Sequence, residues 1–216
     1  MRPAKHLGLL QYTMRERLRR LDVMAAAACL AYPAREGRVT LSYVVIELLS
    51  AWTEFLRTYF LSCILNPKRV RGGRVRATTF VGATFNDAMT VAMTLHKHRM
   101  ALPAGGVWHR RDEPTWFNPH VFLTSCQALG VSNIAQIQNA LSAQTRVMID
   151  LPAFRNYVAH RNENSARSAR RIAAHYTIPG FKHPLQVLCT LPHRRPQPLL
   201  REWISDLDVL VEFLCA

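Results

Sequence analysis

The chain has 216 residues, and a hydrophobic share of 49% is enough to bury a core in one domain or two small ones. Lys and Arg number 28 against 14 Asp and Glu, a formal charge of +14 with a pI near 10.5, which favours a polyanionic partner: nucleic acid, an acidic protein or an anionic membrane surface. The five cysteines are odd in number and form no C-x-x-C pair, which argues against a disulfide framework or a zinc ribbon and fits a reducing cytoplasm.

Leu10, Met14, Leu18, Leu21, Ala25 and Ala28 recur at three- and four-residue steps and predict an amphipathic helix from Leu9 to Ala31, ending before Pro33. The Arg-rich opening followed by "MAAAACLAYPA" loosely mimics a targeting peptide, but Glu16 and Asp22 interrupt it, so it is read as part of the fold. "AREGR" reads as a short turn, with Thr40 as the N-cap of a long apolar helix to about Leu65. Its segment "LSYVVIELLSAWTEFLRTYFLSCIL" carries Glu47, Glu54 and Arg57, which marks a core helix rather than a membrane span. "NPKRVRGG" stops it, and the two helices are expected to pack antiparallel.

"FNDAMTVAMTLHKHRMAL" predicts a third helix capped by Thr84 or Asn86, with Met89, Val91, Met93 and Leu95 facing inward and an end near Pro103. The proline- and tryptophan-bearing stretch "PAGGVWHRRDEPTWFNPH" is expected to lie as an ordered loop over the core. "HVFLTSCQALG" makes a short helix stopped by Gly130, and Ser132 caps another, "NIAQIQNALSAQTRVMI". A helix from Pro152 to Tyr176 follows, stopped by Pro179-Gly180, and "LLREWISDLDVLVEFL" forms the last. The strand candidates "RVRATTFVGA" and "LQVLCTL" are short, so the expectation is an all-α helical bundle with irregular loop excursions. Residues 1–178 are read as one helical domain, with a basic, proline-containing stretch and C-terminal helix at 179–216 packed on it.

Within the helix from Pro152, "FRNYVAHRN" sets an arginine, a polar amide and an imidazole close together. At about 100° per residue Asn156 and His160 share a face, whereas Arg155 and His160 diverge by about 140°. One copy therefore points the two charged groups to different sides. Two copies across a two-fold axis bring both pairs to one cleft, which makes a homodimer the natural way to assemble a site.

"RNYVAH" resembles the R-x(4–6)-H signature of the HEPN superfamily of all-α RNA-cleaving and RNA-binding domains. The preceding "WTEFLRTYF" and "WFN" segments and the helical order from Leu9 to Tyr176 are similar as well. The resemblance implies a HEPN-like bundle and a metal-independent endoribonuclease that acts as a homodimer and needs no cofactor. In such a reaction the ribose 2′-OH attacks the adjacent phosphorus, leaving a 2′,3′-cyclic phosphate and a 5′-hydroxyl. His160 suits proton transfer near neutral pH, Arg155 suits the charge of a pentacoordinate transition state, and Asn156 suits orienting His160 or the phosphate. Some relatives are similar in adding an acidic residue from an earlier helix, for which Glu54 or Glu47 stands available to pair with Arg155. Against that, Glu54 and Arg57 read equally as an i, i+3 ion pair on a helix face.

Lys68, Arg69, Arg71, Arg74 and Arg76 in a glycine-bearing loop, and Arg161, Arg167, Arg170 and Arg171 after the motif, are candidate RNA contacts. Charge runs are more often solvated surface, and these arginines serve an acidic protein partner equally well. Cys189-x-x-x-His193, and His96 with His98, lack a companion pair at zinc spacing, so no metal is expected. The leading expectation is a cytoplasmic ribonuclease, by analogy a toxin or phage-defence effector restrained by an antitoxin or effector-complex partner, with no membrane. The alternative is a non-catalytic RNA-binding or docking subunit of a larger nucleoprotein assembly.

Overall fold

The computed structural model describes residues 1–79, 82–99, 102–103, 105–143, 146–178 and 180–216. Outside them lie Phe80 and Val81 of one strand candidate, Met100 and Ala101 beyond the third helix, Ala104 of the tryptophan-bearing loop, Gln144 and Thr145, and the expected stop at Pro179. The protein is all-α. Its helices are α1 (Leu7–Ala31), α2 (Arg35–Cys63), α3 (Phe85–Lys97), α4 (Pro119–Ala128), α5 (Ile134–Ser142), α6 (Val147–His160), α7 (Glu163–His175), α8 (Pro184–Cys189) and α9 (Leu199–Cys215). Among the described residues the only extended pairing is three isolated bridges, His6 with Lys68, Lys68 with Arg74 and Ala77 with Val131.

The chain divides into two compact units built from interleaved segments: Met1–Met14, Trp52–Gln144 and Leu210–Ala216 form one, Arg15–Ala51 and Thr145–Val209 the other. The stretch after residue 179 is therefore shared, its 180–209 part belonging to the unit that holds α6 and its last residues to the other. By length and composition, α2 is long and apolar enough to cross a membrane, and half of its most apolar stretch is buried inside the protein.

In the first unit, Trp52, Phe55, Tyr59 and Phe60 repeat at helical spacing along α2 and are fully buried. Tyr59 meets Phe122 of α4 edge-on at 5.8 Å, and Phe60 meets Trp116 at 4.9 Å. The loop before α4 is tied down as expected: Arg57 grips buried Glu113 with two bonds of 2.5 and 2.6 Å, and the Trp116 indole donates to the same carboxylate at 2.9 Å. Thr84, not Asn86, caps α3 in a reciprocal capping box with Asp87. Helix α3 buries Ala88, Met89, Ala92 and Met93, while Leu95 is exposed, and it ends at Lys97 because His98 turns left-handed. Gly130 sits at φ 62°, and a Cβ there would lie 2.4 Å from the Thr78 hydroxyl, so the turn after α4 needs glycine.

The second unit departs from the sequence-based expectation in three places. Within "AREGR", Arg35 to Arg38 form not a loop turn but the first turn of α2, and Thr40 lies inside the helix rather than capping it. Gly37 is helical there because its bare Cα packs against the end of α1, where a Cβ would come within 2.8 Å of the Ala31 and Tyr32 backbone. The expected single helix from Pro152 to Tyr176 is two helices: α6 already starts at Val147, carries Pro152 internally and ends at His160. Arg161 then adopts φ 45° with its N–H on the Tyr157 carbonyl, and the Asn162 side chain accepts from Ser165 N at 2.8 Å to start α7. Lastly, "LQVLCTL" is mostly helix α8, opened by Pro184 and capped by the His183 side chain. In the first unit Ser132 likewise does not cap α5; its hydroxyl accepts from Arg76 N instead, and Asn133 takes the cap position.

Helix α6 packs on α7 and α7 on α8. Phe154, fully buried, meets Trp203 of α9 edge-on at 5.5 Å. The Trp203 indole donates to the Tyr176 hydroxyl at 2.9 Å, and that hydroxyl donates to buried Asp150 at 2.9 Å. Arg146 closes the chain, one turn before Asp150, with a 3.2 Å bond. Burial pushes the Tyr176 phenol up, so it stays protonated and able to donate.

Candidate functional site

The arrangement of α6 follows from which of its residues are apolar. Leu151, Phe154 and Val158 turn into the unit, leaving Arg155, Asn156 and His160 exposed on the remaining surface. Because the helix stops at His160 and α7 begins within three residues, Asn156 and His160 face the first turns of α7. With Ala153, Asn162, Asn164, Ser165 and Ser168 they line an open depression of about 480 Å³. Arg155 does not line it; its guanidinium reaches the neighbouring Asn156 carboxamide oxygen at 3.3 Å. The geometry thus joins Asn156 to both motif partners, on the shared face to His160 and through its oxygen to Arg155.

A second cavity, of about 460 Å³, opens along α6 beside Tyr157, Val158 and Arg161 and is completed by Arg35, Arg38, Val39 and Ser42 of α2 and by His183 and Leu185. Of its residues, the sequence pointed only to Arg161. Arg35 and Arg38 lie in the segment taken for a turn, and nothing in "FKHPL" indicates that His183 caps a helix. His183 Nδ1 accepts from Leu185 N at 3.2 Å, so the neutral ring carries its proton on Nε2, which lies 3.0 Å from the Tyr157 hydroxyl. Burial lowers the pKa of His183, and the nearby Arg38, Arg170 and Arg161 charges lower it further.

His96 in the first unit is also held below the usual histidine value, chiefly by burial. Both imidazoles protonate more readily in the unfolded chain, so their contribution to stability is complete above about pH 6.5 and is lost as pH falls through the lowered values. The urea midpoint is expected to drop between about pH 7.5 and about pH 5.5, and to drop less when both histidines are replaced by Gln. An equal drop in the double variant would assign the acid sensitivity to other groups.

The remaining candidates are divided between the two units. Glu54 belongs to the first unit, where it takes the N-terminal ammonium group, and Glu47 pairs with Arg17 in the second. Arg57 uses its fork on Glu113, not in an i, i+3 pair with Glu54. In the basic loop Arg69 bonds Gly72 O and Gln136, Arg71 pairs with Glu212 at 3.1 Å, and Arg74 donates to Asn66 O at 2.9 Å. Lys68 and Arg76 are exposed beside them. The loop is therefore a folded, internally bonded element, in which an RNA phosphate would compete for three of the five cations. On α7, Arg167 pairs with Glu163 at 3.0 Å, and Arg170 and Arg171 are exposed.

No family model, curated protein or solved structure matches the chain. Among the described residues no group of three His, Cys, Asp or Glu side chains is placed to hold a metal ion. The chemistry available on α6 is that of an imidazole, an amide and a guanidinium: proton transfer, orientation and binding of an oxyanion.

Proposed function

We propose that the protein is an endoribonuclease of the HEPN type, working as a homodimer in which Arg155 and His160 of two copies meet at one phosphodiester. The observation that carries this reading is the exposed triad on α6: Asn156 and His160 line one open depression, and Arg155 is bonded to Asn156 at its edge. His160 transfers the proton, Arg155 stabilises the charge that builds on phosphorus, and Asn156 orients His160 or the phosphate. Because Arg155 stays outside the depression in one copy, the second copy supplies the guanidinium. No step needs a metal ion.

The test incubates purified protein with a defined RNA and a chelator, followed by analysis of the product ends. Cyclic phosphate and 5′-hydroxyl ends are expected; RNA that is bound but left intact would favour the docking-subunit reading. Exposed basic residues such as Arg170 and Arg171 serve that second reading equally, because phosphate contacts strengthen binding whether or not cleavage follows.

A further inference from the structure

The cavity beside α6 has a composition that the ribonuclease reading does not use. Three arginines, Arg35, Arg38 and Arg161, face one hollow that, among the described residues, no Asp or Glu lines. Elsewhere in the protein arginines are commonly taken by carboxylates: Arg15 by Asp208, Arg17 by Glu47, Arg57 by Glu113, Arg201 by Asp22. The three at the cavity have no side-chain hydrogen bond or ion pair among the described residues. Like charges gathered around a concavity repel one another, and an anion placed between them relieves that repulsion.

The neutral groups fit the same occupant. His183 holds its Nε2 proton toward the Tyr157 oxygen, which leaves the phenolic proton free to donate into the hollow. Buried Val158 and Leu185 supply an apolar wall. A volume of about 460 Å³ lies within the range of pockets that enclose a small organic ligand, and is larger than a bare oxyanion needs. Forked donors beside an apolar wall match a phosphate carried on an organic group such as a nucleoside.

We infer that this cavity is a nucleotide-binding subsite, with Arg35, Arg38 and Arg161 on the phosphate and the nucleoside against Val158 and Leu185. The nucleotide is either free or one link of an RNA strand. The second source draws on the ribonuclease reading, because Arg161 directly follows His160 and a strand leaving the depression would reach it next.

The binding test is independent of cleavage. Two probes are titrated against the full chain: adenosine 5′-monophosphate, and a fluorescent eight-nucleotide RNA fully 2′-O-methylated so that its sugar hydroxyl cannot attack. The double variant Arg38→Gln, Arg161→Gln is expected to fold as the wild type does, since neither side chain has a hydrogen bond or ion pair to lose among the described residues, and to weaken binding by about 10- to 100-fold. The charge-matched control Arg110→Gln, Arg111→Gln should change it by less than about 3-fold. Loss on the mononucleotide identifies a free nucleotide as the ligand, and loss on the oligonucleotide alone identifies the strand. Unchanged affinity of the double variant for both probes, an equal loss in the control, or a wild-type protein that binds neither probe overturns the subsite. Cleavage that survives loss of His160 would overturn the catalytic reading and leave these affinities untouched, so the two failures are separable.

Discussion

His160→Ala is expected to lower RNA cleavage by about 10²- to 10⁴-fold, the usual contribution of a positioned proton-transfer group, and Arg155→Ala by about 10²- to 10³-fold. Both side chains are exposed, and His160 has no side-chain hydrogen bond among the described residues, so neither change should lower the melting temperature appreciably. The two are expected to act as one unit, so that the double variant is little worse than the single His160→Ala variant. A homodimer adds a sharper expectation. If each site draws its arginine and histidine from different copies, mixing the two single variants regenerates intact pairs in part of the population, and some activity returns. Rate measurements with chelator present and RNA in excess decide the matter. Undiminished cutting by either single variant removes that residue from the chemistry, and mixtures as inactive as their components remove the shared site.

How much of this was legible in the sequence depends on whether local pattern or distant packing sets the outcome. The apolar steps of α1, the aromatic run of α2 and the Thr84 cap are local signals, and the structure follows them. The break at Arg161 was also written locally, as an Asn162-x-x-Ser165 cap, but helical periodicity runs on through Ala169, Ile172 and Ala173 and conceals a left-handed residue between two helices. Gly37 misled in the opposite sense. It looks like a breaker, yet it permits the close approach of α2 to the end of α1. "LQVLC" is an apolar run too short for periodicity to separate strand from helix, and Pro184 with the His183 cap decided for helix.

The site divides in the same way. Asn156 and His160 on one face with Arg155 turned away is pure helix geometry, and the spacing predicted it. The cavity of Arg35, Arg38 and Arg161 joins residues more than a hundred positions apart, and Glu113 as the partner of Arg57 is likewise a product of the folded chain. No window of sequence holds either one. Interleaving of the two units has the same origin, since α1, α2 and α9 each contribute residues to both.

A large stability effect is expected at Phe154, one residue before the motif. Phe154→Ala should destabilise the protein by about 3 to 5 kcal/mol, because it removes a fully buried ring and leaves a cavity that the surrounding helix cannot fill. For a chain of this size that corresponds to a melting temperature lower by about 6 to 20 °C. Phe154→Leu keeps most of the volume and should cost less than about 1.5 kcal/mol. Activity should follow in a telling order. Phe154 fixes α6 to Trp203, and Trp203 is tied through Tyr176 to Asp150 on that same helix, so the ring holds the segment that carries Arg155, Asn156 and His160 at a fixed angle. At a temperature where Phe154→Ala remains folded, cleavage should still fall, whereas a substitution of equal cost in the first unit, such as Phe122→Ala, should leave the rate per folded molecule unchanged. Equal rates for both variants would mean that the orientation of α6 does not govern the chemistry, and the reason for placing the motif directly after a buried aromatic anchor would have to be sought in folding alone.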